Sequence, residues 1–269
     1  MAGSSRAARA AADKALAGAL EGVDRAALSE ELFSIGSTIE SSIGLRRAFA
    51  DPSREGSAKR DLAERLFGGK VSEAANTVIG EVVAQRWSSE GDLSDAFEAL
   101  AVRALLASAE KAGRIDEVEN QLFRFERIVA ADTGLRDALS TRNSDLEGKA
   151  GVVRQLLAGK AAPETQRLAE QAVLVPRGRR LDRVLETYLK LAADRREELT
   201  ALVTVAVALD ERQESRLRSA LRSIYGKPVT LQTVLDPSVV GGIRVLIGDE
   251  VVDGTVVRRL DAVRRDLAG

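Results

Sequence analysis

From Leu122 onward the chain begins again. Leu32-Phe33 returns as Leu122-Phe123, Gly44-Leu45-Arg46 as Gly134-Leu135-Arg136, Ala48 as Ala138, Lys59 as Lys149, Leu66 as Leu156 and Gly69-Lys70 as Gly159-Lys160, every pair ninety residues apart. After a slip of two residues the match resumes, with Leu93-Ser94-Asp95-Ala96-Phe97-Glu98 against Leu181-Asp182-Arg183-Val184-Leu185-Glu186. One offset held over so many positions without a gap is the mark of an internal repeat, which limits each copy to the same kind of supersecondary unit. The spacing of apolar residues makes that unit helical. Residues 5–21 read as an alanine-rich amphipathic helix with Leu16 and Leu20 on its buried side. A second helix, 29–43, carries Leu32, Phe33, Ile35, Ile39 and Ile43, with Ser29 as its N-terminal entry. Asp51-Pro52-Ser53 interrupts the chain before a third helix through Leu62, Leu66 and Phe67, which stops at Gly68-Gly69. Helices follow at 72–87 and 93–112.

The second of these is long, and Leu106 lies ninety residues after Leu16, so it is expected to close the first bundle and open the second as a stiff rod. Two helical bundles are therefore expected, 1–112 and 93–198, sharing that helix. At Leu199 the period changes. A β-branched run covers 200–209, Asp210 caps a helix from Glu211 to Tyr225, and two further apolar runs, Val229–Leu235 and Ile243–Ile247, flank Asp236-Pro237-Ser238 and Gly241-Gly242. Proline fixes φ and has no N–H to donate, and paired glycines reach angles closed to other residues, so the chain must turn there. Gly248-Asp249-Glu250 reverses it again into Val251-Val252. Asp253-Gly254-Thr255 then starts a last helix with Val256, Val257, Leu260, Val263 and Leu267 in one stripe. The fold class is mainly α: two tandem bundles, then a β-α-β-β-α domain over 199–269.

Composition narrows the chemistry. Among 269 residues there is no cysteine and no histidine, so thiolate, disulfide and imidazole chemistry are excluded, as are the nitrogen and sulfur ligands that zinc prefers. No cofactor is expected. The 40 basic and 41 acidic residues nearly cancel, so no global field draws in nucleic acid or an anionic membrane face, and a protein is the expected partner. Arg6, Arg9 and Lys14 among alanines lack the leucine-rich centre of a signal peptide, and no apolar run approaches the roughly 18 residues of a membrane span, so no membrane insertion is expected.

The tail resembles the C-terminal domain of the delta subunit of the rotary ATP synthase, whose mitochondrial relative is the oligomycin-sensitivity-conferring protein. The resemblance rests on L-x-x-x-L-D-P-S-V-V-G-G-I-R-V, carried by Leu231, Leu235, Asp236, Val239, Gly241, Gly242, Ile243 and Val245, with Gly248 and then Asp253-Gly254 at family spacing. The repeats resemble the family's six-helix bundle, with G-L-R-x-A-[FL] standing where the family usually has N-x-x-L-R-x-x-L. Members usually carry one bundle, whereas two are read here, as in the longer actinobacterial form. At Leu246 the family often has a polar residue, and an apolar one there is suited to packing on a partner helix. The resemblance implies a stator subunit without catalytic residues. Its bundles would grip the alpha subunits of the catalytic head, and its tail would hold the b subunits. It would sit at the cytoplasmic face of the cell membrane as a peripheral part of the complex. Amphipathic helices offering a groove to a partner helix suit that role independently.

Other residues read more plainly. Trp87, the one tryptophan, is expected in a bundle core or at its edge. Arg177, Arg179, Arg180 and Arg183, after Pro176, read as a solvated loop and helix start, with a basic patch for acidic partner helices as the alternative. Asp236 beside a proline is expected to accept backbone hydrogen bonds rather than act as a catalytic carboxylate. Two rival classes remain: an adaptor binding RNA or other proteins, and a hydrolase built on paired carboxylates.

Overall fold

The computed structural model describes residues 3–141, 145–197, 199–225, 228–237, 239, 242–247 and 250–253. Along the described chain run α1 (Gly3–Ala19), α2 (Arg25–Ser41), α3 (Ile43–Ala50), α4 (Gly56–Phe67), α5 (Glu73–Ala84), α6 (Glu90–Lys111), α7 (Ile115–Ala131), α8 (Thr133–Ser140), α9 (Leu146–Leu157), α10 (Pro163–Leu174) and α11 (Leu181–Glu197). Then come β1 (Leu199–Val205), α12 (Glu211–Tyr225), β2 (Val229–Leu235), β3 (Ile243–Ile247) and β4 (Glu250–Asp253). The fold is mainly α with a small α/β part. Contacts divide the chain into two compact units, Met1–Arg195 and Arg196–Gly269.

Polar residues set the helix starts. Asp24 Oδ1 accepts from the N–H groups of Ala26 and Ala27 at 3.0 and 3.1 Å, so α2 begins at Arg25 rather than at Ser29. Ser29 instead lies buried in mid-helix, its hydroxyl donating to the Ala101 carbonyl at 2.8 Å. Ser42 accepts from Leu45 N–H and begins α3, a separate short helix not expected from the sequence because the Ile39 to Ile43 spacing reads straight through the break. Ser89 accepts from Asp92 N–H, so α6 starts at Glu90, before Leu93.

The helical unit repeats in its bounds. α2 and α7 are both 17 residues, α3 and α8 both 8, α4 and α9 both 12, and α5 and α10 both 12; each second member begins ninety residues after the first, at 115, 133, 146 and 163 against 25, 43, 56 and 73. The detail repeats too. Gly69 and Gly159 both take φ near +65 (70° and 64°), where a Cβ is disfavoured, to leave α4 and α9. Glu31 on α2 accepts from Ser72 N–H at 2.7 Å, and Gln121 on α7 accepts from Ala162 N–H at 2.8 Å, so each holds down the start of the fourth helix in its repeat.

α6 lies at the centre. It packs against α1, α2, α3 and α5 on one side of the sequence and against α7 and α10 on the other. Leu93, Phe97, Leu100, Val102, Leu105, Leu106 and Ala109 are all buried, and they spread around the helix, as an interior helix requires. One apolar core runs without interruption from Ala8 on α1 to Ala192 on α11.

The α/β unit is a four-stranded sheet of order β2-β1-β3-β4. β1 and β2 are parallel, joined through α12, whereas β1 with β3 and β3 with β4 are antiparallel. Alternate residues Ala201, Val203 and Val205, with Val229, Val245 and Ile247, build a core with Leu217, Leu221 and Tyr225 of α12. α12 opens with a reciprocal box: Gln213 N–H donates to Asp210 Oδ1 at 2.7 Å and Asp210 N–H to Gln213 Oε1 at 2.9 Å. The strand bounds match the sequence reading of β2 and β3. The expected last helix lies outside the described residues.

Candidate interaction site

The motif read from the sequence forms a corner of the sheet. β2 ends at Leu235, and Asp236 extends the ladder by one bond, its N–H donating to the Val205 carbonyl at 2.9 Å. Val239 N–H then donates to the Asp236 carbonyl at 3.1 Å, closing a turn that carries Val239 into a buried position. Gly242, at φ 94°, makes the bend into β3 that an L side chain would resist. Ile243 and Val245 then pair with Val205 and Val203, and Leu231 lies opposite Ala201. Asp253 ends β4 opposite Arg244. Gly241, Gly248 and Gly254 lie outside the described residues.

These residues shape the sheet, and they leave one end of it apolar and open. Leu235 is 60% exposed, Val234 46%, and Val207, just beyond Val205 on the adjacent strand, 78%. Val234 and Leu235 alternate across the two faces of the strand, so apolar surface is exposed on both, at about 25 cal/mol per Å² to keep wet.

In the helical unit the polar chemistry concentrates at Glu98 on α6, which is buried among cations. Arg177 Nη1 donates to it at 2.9 Å, Arg179 Nη2 at 2.6 Å and the Tyr188 hydroxyl at 2.6 Å. Arg177 also donates to Asp95 at 2.6 Å, from a residue held at φ 54° in the α10–α11 loop. Burial, and then the Glu98 charge, push the Tyr188 hydroxyl well above its ordinary range, so it stays protonated and donating. The arginine cluster thus divides. Arg180 and Arg183 are solvated and pair with Asp182 and Glu186, while Arg177 and Arg179 point inward and seize α6, contrary to the solvated loop read from the sequence. The sequence hid this because the partners are some eighty residues away.

Two more ties brace the helical unit. Arg167 on α10 makes a paired bond to Glu30 on α2, at 2.6 and 3.0 Å, with its guanidinium 4.5 Å above the Phe33 ring. Arg195 near the end of α11 reaches Glu110 at the end of α6 at 2.9 Å. Trp87 is buried as expected, its indole N–H donating to the Val82 carbonyl at 2.9 Å. The described residues hold no group of three acidic side chains suited to a metal.

The family model described as "ATP synthase delta (OSCP) subunit" matches residues 101–267, more than half of the chain. The chain belongs to the ATP synthase delta (OSCP) subunit family. A relative from Streptomyces coelicolor, named ATP synthase subunit delta, is 43% identical over 270 residues, covering 100% of this chain and 98% of the relative. Another of that name, from Nocardia farcinica, is 44% identical over 269 residues, covering 98% of each. One from Kineococcus radiotolerans is 43% identical over 249 residues, 93% of this chain and 90% of the relative. The family match opens at residue 101, inside α6, and takes in α7 to α11 and the α/β unit.

Proposed function

We propose that this chain is a peripheral-stalk subunit of the rotary proton-translocating ATP synthase, linking the catalytic head to the b-subunit stalk and resisting rotor torque. The observation that carries the reading is the end-to-end match, at 43 to 44% identity, to relatives named ATP synthase subunit delta. In this role the subunit is non-catalytic. The helices hold N-terminal helices of the alpha subunits, and the α/β unit holds b, for which the open apolar end at Val207, Val234 and Leu235 is suited. Its place is peripheral, at the cytoplasmic face of the membrane; no helix among the described residues is long and apolar enough to cross a membrane.

The helical unit reads as two bundles, 1–112 and 93–198, sharing α6, with the first as the copy added to the family's usual bundle. The equal helix lengths ninety residues apart and a family match opening at residue 101 support this. A stator element must transmit torque without bending at a joint. The shared rod and the Arg167–Glu30 pair suit that demand because each links the two bundles, and the Glu98 network suits it by fixing the second bundle to the rod.

The test is a split of the chain. Deleting residues 199–269 is expected to abolish recovery of b while alpha is still recovered and the helical signal persists by circular dichroism. Undiminished recovery of b by the truncated chain would contradict the assignment of b to the α/β unit.

A further inference from the structure

We propose that the second repeat carries a socket for an uncharged aromatic side chain presented by a partner protein. A cavity of about 490 Å³ lies between the last turn of α7, α8, the end of α10 and the start of α11. That is within the roughly 300–1,000 Å³ usual for binding pockets. Its floor is Val129, Leu139, Ala172, Val173, Leu181 and Leu185, every one buried and apolar. Its lip, with Ala130, Arg136, Ser140 and Gly178, is exposed, so the cavity opens to solvent.

The first repeat tells what the space is shaped for. Ninety residues before Leu139 stands Phe49, and across the two-residue slip Leu185 corresponds to Phe97. The loop before α6 adds Trp87, hydrogen-bonded to Val82, and Val82 is the counterpart of Ala172 in the cavity wall. Phe49 and Phe97 are 0% exposed and Trp87 3%, so the first repeat fills these positions with its own rings. The second repeat has aliphatic residues at both phenylalanine positions, and its loop, 175–180, has no tryptophan. Protein interiors close-pack, and a wall in which two phenylalanines become leucines and an indole is absent leaves room for a ring from elsewhere.

Charge selects the class of occupant. Around the cavity Arg179 is spent on Glu98 at 2.6 Å, Arg180 on Asp182 at 2.8 Å and Glu186 on Arg183 at 2.7 Å, while Arg136 and Asp137 lie 4.0 Å apart. Apart from Glu126 on α7, the lining cations and anions cancel pair by pair, so the lip complements an uncharged apolar group better than an anion. In the first repeat that group is a side chain on a polypeptide, and here the exposed lip lets one enter from a second chain.

The test uses the full chain and three probes: indole, an alanine-based helical peptide with one central tryptophan, and the same peptide with alanine there. Saturation-transfer NMR and calorimetry read binding. Indole is expected to bind saturably, and the tryptophan peptide at least tenfold more tightly than its alanine counterpart. Both are expected to be lost in Leu139→Phe/Leu185→Phe, which restores the rings of the first repeat and is expected to melt no lower than the parent. If the double variant does not fold, Leu185→Phe alone is judged by the same binding criterion. Failure of indole to bind the parent chain overturns the proposal, as does unaltered binding in the filled variant. Equal binding of the two peptides overturns it as well, by assigning the cavity to free small molecules. No other subunit of ATP synthase enters the measurement, so a negative result leaves the stalk reading standing.

Discussion

Glu98 is a carboxylate taken out of water and surrounded by two guanidinium groups and a phenol. Removing one partner from such a cluster leaves charge buried and unpaired, which typically costs about 3–5 kcal/mol. Glu98→Ala is therefore expected to lower the unfolding free energy by about that much in urea denaturation, and a loss below roughly 1 kcal/mol would show that solvent screens the cluster. Tyr188 gives the same site a pH signature. In the unfolded chain a tyrosine ionises near pH 10, whereas in the fold burial and the Glu98 charge raise that value, so the folded state keeps its proton more tightly. The stability from this group is complete below about pH 10 and is lost as pH climbs from there through the raised value. Tyr188→Phe is expected to flatten the alkaline fall in stability relative to the parent, and parallel curves would refute it. A second pair tests the repeat at one atom. Glu31 and Gln121 hold the same backbone position in successive repeats, so truncating either to alanine is expected to cost about 1 kcal/mol, and a loss at only one would show that the geometry is shared but the energetics are not.

α6 is the element on which the helical unit depends. A proline at Leu100 removes a backbone hydrogen bond and clashes with the preceding turn, at a cost of roughly 3 kcal/mol or more. Because α6 touches α1 to α3 and α5 as well as α7 and α10, Leu100→Pro is expected to lower amide protection in both repeats together. Loss confined to one repeat, read by hydrogen exchange on the isolated subunit, would mean that the bundles are independent. Much of this element was readable beforehand, since Leu93, Phe97, Leu100 and Leu106 spread round a helix and its length follows from Gly113. The bounds of β2 and β3 were readable too, set by β-branched runs between proline and glycine. What could not be read was non-local. The break at Ser42 depends on a side chain turning back to Leu45 N–H, and the apolar spacing ran straight through it. The inward turn of Arg177 and Arg179 depends on Glu98, which nothing in a local window brings near. The exposure of Leu235 is likewise not visible in the run Val229–Leu235 taken by itself.

At the scale of the whole molecule the chain is a helical unit with internal cross-ties, followed in sequence by a small α/β unit. That layout suits the connector proposed above, in which one unit would grip the head and the other the stalk. A connector is judged by what it joins, so the direct measurement is recovery from the native membrane. Tagged full-length chain, expressed at native level and purified from gently solubilised membranes, is expected to bring down both alpha and b in fixed proportion. The proportion should survive high salt if apolar faces carry the contacts, because salt screens apolar contacts little. Recovery of RNA or of unrelated proteins, with alpha and b at background, would contradict the account.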